Sequence, residues 1–128
     1  MRFMMLLPAP PQALEMGPPT KELVTAMRKY NEDMAKAGVL LIAEGLHPTS
    51  KGMRLRVSGG QRIVTDGPFA EAKEVIAGFW MIQVKSKEKA LEWAKRCPLP
   101  EGGILDIYQI FDPATDFPPE LRPKSAKA

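Results

Sequence analysis

One cysteine, Cys97, and one histidine, His47, occur among the 128 residues. A single cysteine excludes an internal disulfide and suits a reducing compartment. One histidine and one cysteine are too few for a zinc site, so no metal is expected. Cys97 stands before Pro98 at the expected end of a helix, where the dipole disfavours a thiolate, and it reads as a buried structural thiol. No phosphate loop, dinucleotide fingerprint or nucleophile elbow occurs, and no cofactor is called for. Long apolar runs are missing too. The opening Met1 to Leu7 stretch stops at Pro8, short of a signal peptide or a membrane span, so it reads as the first strand of a cytoplasmic protein with no membrane partner.

Aromatic residues make up only 7% of the chain, and the stretch from 51 to 62 has none. That stretch carries Lys51, Arg54, Arg56 and Arg62 without an acid, while the whole chain has a net charge of only +3. Nucleic-acid surfaces combine such charges with stacking rings or a recognition helix, so a solvated or anion-facing strand is expected here and no nucleic-acid partner. The length and the 45% hydrophobic fraction are those of one globular domain. The domain is expected over residues 1–111, followed by a proline-rich, charged tail over 112–128 that is either disordered or draped over a partner subunit.

Along the chain, five prolines between residues 8 and 19 predict an irregular surface loop. Thr20 then caps a helix in which Leu23, Met27, Tyr30 and Met34 form one apolar stripe, and Gly38 ends it. Val39 to Leu46 reads as a strand. Met53, Leu55 and Val57 alternate with Arg54, Arg56 and Ser58, the period of a half-buried strand. A two-residue turn at Gly59-Gly60 would place Arg54 opposite Thr65 and Leu55 opposite Val64. Val75 to Val84 is almost wholly apolar and reads as a central strand covered on both faces. Ser86 caps a second helix with Ala90, Leu91 and Ala94 inward and a Glu92–Arg96 surface pair, and Ile104 to Phe111 is the last strand. This order predicts an α+β fold with a ferredoxin-like antiparallel sheet and two helices on one face. Its other face needs covering, which pairing with a second copy as a homodimer would provide.

The loop Asp66-Gly67-Pro68-Phe69 has the residues of a tight turn, with Phe69 as its anchor. The stretch from Val64 through Glu74, followed by Gly78-Phe79 and Ala90-Leu91-Glu92-Trp93-Ala94, resembles the DGPF group of the YCII-related family. Ala37-Gly38-Val39-Leu40, Glu44-Gly45-Leu46 and Arg54 fit the same pattern. The resemblance implies a dimeric α+β barrel, in which two ferredoxin-like sheets pack face to face around a cleft. Some relatives are regarded as small-molecule enzymes using a His-Asp pair with the histidine on the first helix. Residues 20–37 here contain no histidine, so that pair does not carry over.

Asp66 is the first candidate for a functional carboxylate, with Arg54 expected beside it to keep it ionised. The same residues also suit an Asp that serves its own turn. His47, the one imidazole of the chain and so the side chain of the type suited to proton transfer near neutral pH, is the second catalytic candidate. Glu44, Arg54, Asp66, Gly67, Pro68, Phe69, Glu71 and Lys73 form the expected ligand-binding set. The expected ligand is a small anionic or carbonyl-bearing molecule, and cofactor-free acid–base chemistry such as isomerisation or elimination fits these groups. A non-catalytic ligand sensor or interaction module is the alternative.

Overall fold

The structure, a computed structural model, describes residues 1–15, 17, 19–69 and 73–124. Among the described residues, six strands and three α-helices follow one another as β1 (Arg2–Ala9), α1 (Pro11–Glu15), α2 (Lys21–Lys36), β2 (Leu40–Gly45), β3 (Met53–Ser58), β4 (Gln61–Asp66), β5 (Val75–Gln83), α3 (Lys87–Lys95) and β6 (Asp106–Gln109). Four strands form one antiparallel sheet in the order β2-β5-β1-β6. The connection through α2 passes over β5, and that through α3 passes over β1. This is the ferredoxin-like arrangement expected from the order of apolar patterns. Among the described residues no helix is long and apolar enough to cross a membrane.

Both long helices begin where the sequence places a hydroxyl. Thr20 Oγ1 accepts from the Leu23 N–H at 3.2 Å, and Ser86 Oγ from the Lys89 N–H at 3.1 Å. Each cap satisfies a backbone donor that the first helical turn leaves unpaired, a contribution of about 1 kcal/mol. The helices cover the same side of the sheet. Tyr30 and Met34 of α2 and Ala90 and Ala94 of α3 are buried with Phe3, Met5, Trp80, Ile82 and Val84 of the strand side, and with Cys97. Tyr30 meets Trp80 edge-on at 5.8 Å and donates its hydroxyl to the Trp93 carbonyl at 2.7 Å, while the Trp80 indole donates to Asn31 at 2.8 Å. These buried polar groups are thus paired within the core. Burial pushes the Cys97 thiol up to about 11, as expected of an inert packing residue.

Several local expectations are corrected. Residues 8–19 are not wholly irregular: α1 starts with proline at its first position, where the missing N–H has no helical partner to lose. Pro8 extends β1, at a register shift beyond the stretch paired to β6, one of the few places a strand accepts proline. Arg96 does not pair with Glu92. It reaches Asp33 of α2 at 3.6 Å and lies over the Trp93 ring at 4.1 Å, while Glu92 meets Lys89 at 3.3 Å. Apart from these corrections, the segment after Phe111 makes local contacts of its own through residue 122. Asp112 accepts from the Ala114 N–H at 3.0 Å, Asp116 accepts from the Asp112 N–H at 2.7 Å, and Arg122 donates to the Phe117 carbonyl at 2.8 Å.

The largest departure concerns β3 and β4. They pair only with one another, in the register expected, with Arg54 opposite Thr65 and Leu55 opposite Val64. Gly59 and Gly60 take φ of 57° and 76°, the left-handed values a two-residue hairpin turn demands. The hairpin is not half-buried. Met53, Leu55, Val57 and Val64 are 70%, 56%, 65% and 60% exposed, because among the described residues no other element lies on that face.

Candidate functional site

The loop at the foot of the hairpin is fixed by backbone. Thr49–Lys51 forms one helical turn before β3, and the Gly67 N–H donates to the Gly52 carbonyl at 2.9 Å. A side chain at Gly67 has no room: a Cβ there would overlap the Thr49 carbonyl oxygen and lie 2.7 Å from its carbon. Glycine is therefore required by close approach of two chain segments rather than by its dihedral freedom. The Gly67-Pro68 bond is cis. Phe69 is half-buried, and the Arg54 guanidinium sits 4.2 Å above its ring centre, a cation–π contact that ties β3 to the loop.

This geometry changes the role expected of Arg54. Alternation along the hairpin puts Arg54, Arg56, Ile63 and Thr65 on one face and Met53, Leu55, Val57, Arg62, Val64 and Asp66 on the other. Arg54 therefore leaves the sheet away from Asp66 and stacks on Phe69. Asp66 is exposed and, among the described residues, makes no ion pair. His47 is exposed in the loop after β2, two residues before the turn that holds Gly67, so the His47 and Asp66 loops are in contact through backbone. Lys73 is exposed on the approach to β5, and Glu71 lies outside the described residues. No group of three or more His, Cys, Asp or Glu among the described residues could hold a metal ion.

Glu44 sits differently, on the sheet face that the helices leave open. Register places Ile42, Met81, Met4 and Tyr108 in one row across the sheet, and Glu44, Phe79, Leu6 and Asp106 in the next. None of these eight residues is buried, in contrast to Met5, Trp80 and Ile82 on the reverse face. The surface is apolar in its middle and carries a carboxylate or a phenol at three of its four side positions, with Ile42 at the fourth. Tyr108 and Asp106 were not among the residues singled out from sequence, although the alternation Asp106-Ile107-Tyr108-Gln109 marks them as sharing one face. A concavity of about 120 Å³ lies at the far end of β5, among Arg2, Gln83, Gln109, Asp112 and Asp116, away from the Asp66 loop.

The family model of the YCII-related domain matches residues 1–114, including every strand, both long helices and the Asp66 loop. The chain belongs to the YCII-related family. It is also similar to an uncharacterized protein of Rhizobium meliloti (strain 1021), with 43% identity over 75 residues, 59% of this chain and 57% of the relative. The match thus spans a little over half the length of that relative.

Proposed function

We propose that this YCII-related protein, of the DGPF type, acts as a cytoplasmic homodimer that binds a small anionic or carbonyl-bearing molecule between two sheets. The observation that carries this reading is the open face of the main sheet, where Met4, Leu6, Phe79 and Met81, all partly exposed, occupy the centre of a surface that no described helix covers. A contiguous apolar face of this kind marks an interaction site, and a two-fold axis covers it with its own copy. Glu44, Tyr108 and Asp106 at its sides supply the few polar groups that orient a ligand in an otherwise apolar cleft.

Asp66 is the proton-accepting group of this reading, and His47 on the adjoining loop is the second titratable group. Gly67, Pro68 and Phe69 shape the loop, Arg54 holds it through Phe69, and Glu71 and Lys73 follow it in sequence. The chemistry that suits these groups is isomerisation or elimination without a cofactor. A second reading, a ligand sensor without catalysis, is favoured by the exposure of both Asp66 and His47 in the single chain. A thermal-shift screen against small carboxylic acids and lactones tests binding, since a ligand held by the folded state raises its melting temperature. Asp66→Asn should abolish the shift while leaving the unliganded fold unchanged. Turnover of a stabilising compound supports the enzyme, and binding without turnover supports the sensor. Retention of the full shift in the variant removes Asp66 from the site.

A further inference from the structure

We infer that the concavity at the end of β5 binds a small zwitterion of the α-amino acid class, its carboxylate on Arg2 and its ammonium on Asp112 and Asp116. Strand register builds the place. Arg2 pairs with Gln83, and the Ile110 N–H donates to the Arg2 carbonyl at 2.9 Å. Gln83, Arg2 and Ile110 therefore continue the open sheet face one row past Met81, Met4 and Tyr108. The turn from Asp112 to Asp116 borders the other side of the same concavity, whose volume is about 120 Å³. That is the space of about four waters at roughly 30 Å³ each, which suits glycine or alanine and is far too small for a cofactor.

Each charge of such a ligand meets a fixed counterpart. Arg2 is partly buried, and its side chain donates from Nη2 to the Phe111 carbonyl at 3.2 Å. A guanidinium has five donors, and among the described residues the others have no partner and Arg2 forms no ion pair. One bond thus holds the fork in place while the rest of it is available to a carboxylate. The Met1 amine also borders the concavity but is turned to the Val84 carbonyl at 2.9 Å. Asp112 and Asp116 are set by their own turn, where they accept from the Ala114 and Asp112 N–H groups at 3.0 Å and 2.7 Å. Arg122 braces that turn through the Phe117 and Thr115 carbonyls. Both carboxylates keep further lone pairs for a ligand donor. No ion pair joins Arg2 to either aspartate, so opposite charges stand apart across one small space. A simple anion there is repelled by the aspartates and a simple amine by Arg2, whereas a molecule with both charges is attracted at each end. The concavity is made by one chain, so this site does not rest on the homodimer reading above.

The test is isothermal titration calorimetry of the wild-type chain with L-alanine, propionate and ethylamine, which present both charges, the carboxylate alone and the ammonium alone. Alanine should bind with a Kd of about 1 mM or tighter, and each fragment at least about tenfold more weakly. Arg2→Gln and Asp112→Asn should each weaken alanine binding about tenfold, the loss expected for a hydrogen bond to a charged group. Asp112→Asn keeps an oxygen for the Ala114 N–H, so the turn should persist. The comparison of the three ligands on the wild-type chain decides the matter even where a substitution disturbs the tail. Propionate that binds as tightly as alanine would remove the aspartates from recognition, and ethylamine that does so would remove Arg2; either result overturns the zwitterion site. Alanine binding unchanged by both substitutions would place the ligand elsewhere and overturn it equally. Absence of binding heat with alanine at about 10 mM would do the same.

Discussion

Replacing Gly67 by alanine adds one methyl group at a place where the structure has none to spare. The new Cβ would overlap the Thr49 carbonyl oxygen and lie 3.3 Å from the Gly52 oxygen. All the atoms it meets are backbone, so no side chain can rotate away. The turn Thr49–Lys51 must shift, which adds overpacking strain of about 1–3 kcal/mol. The shift also stretches the 2.9 Å hydrogen bond from Gly67 to Gly52, a net loss of about 1 kcal/mol. The sum is about 2–4 kcal/mol, which for a domain of this size lowers the melting temperature by roughly 8–16 °C. Thermal denaturation followed by circular dichroism measures it. Gly45→Ala is the matched control, since a Cβ at Gly45 meets nothing within 4 Å, and it should cost less than about 0.5 kcal/mol. Equal melting temperatures for the two variants would refute the reasoning that glycine at position 67 is dictated by close approach.

Met34→Ala empties a site that is fully buried between α2 and the sheet, and urea denaturation should show a loss of about 2–5 kcal/mol. Arg54→Ala should leave the hairpin register intact but loosen the loop by removing the guanidinium from Phe69. The loss should be about 0.5–1 kcal/mol, read as faster amide exchange at Asp66, Gly67 and Phe69 than in the wild type. Alkaline stability follows from Cys97 and Tyr30, whose ordinary values of 9.0 and 10.0 are both raised, chiefly by burial. Each keeps its proton in the folded chain at a pH where the unfolded chain has released it. Stability is therefore intact below about pH 9 and falls as the pH rises from 9.0 through about 11, and denaturation midpoints across that range should decline. Thiol reagents at pH 8 should modify Cys97 only as fast as the protein opens.

Much of the fold was legible because its signals are local. Thr20 and Ser86 cap the helices they were expected to cap, and the glycine pair sets a hairpin whose register follows from counting outward. The period of two in Met53 to Ser58 correctly predicts a strand, but periodicity reports only that one face is apolar, and it cannot say which surface covers it. Among the described residues none does. Arg54 shows the same boundary. Its position across from Thr65 was readable, but a long side chain at that position can turn to Asp66 or to Phe69, and three-dimensional packing sends it to the ring. The constraint on Gly67 was invisible for a similar reason, since the Thr49 carbonyl that forbids a side chain belongs to a turn residues away in sequence. Tyr108 and Asp106 could have been found from alternation in the last strand. Their place beside Met4 and Leu6 depends on β6 pairing with β1, which only the sheet order reveals.

The open sheet face is the feature on which the proposed site and cleft depend, and the mass of the protein in solution tests it most directly. Sedimentation equilibrium of the wild-type chain at micromolar concentration should give twice the 14.2 kDa of one copy. A single-copy mass under the same conditions would mean that the face formed by Met4, Leu6, Phe79 and Met81 stays in water, and the cleft between two sheets would not exist.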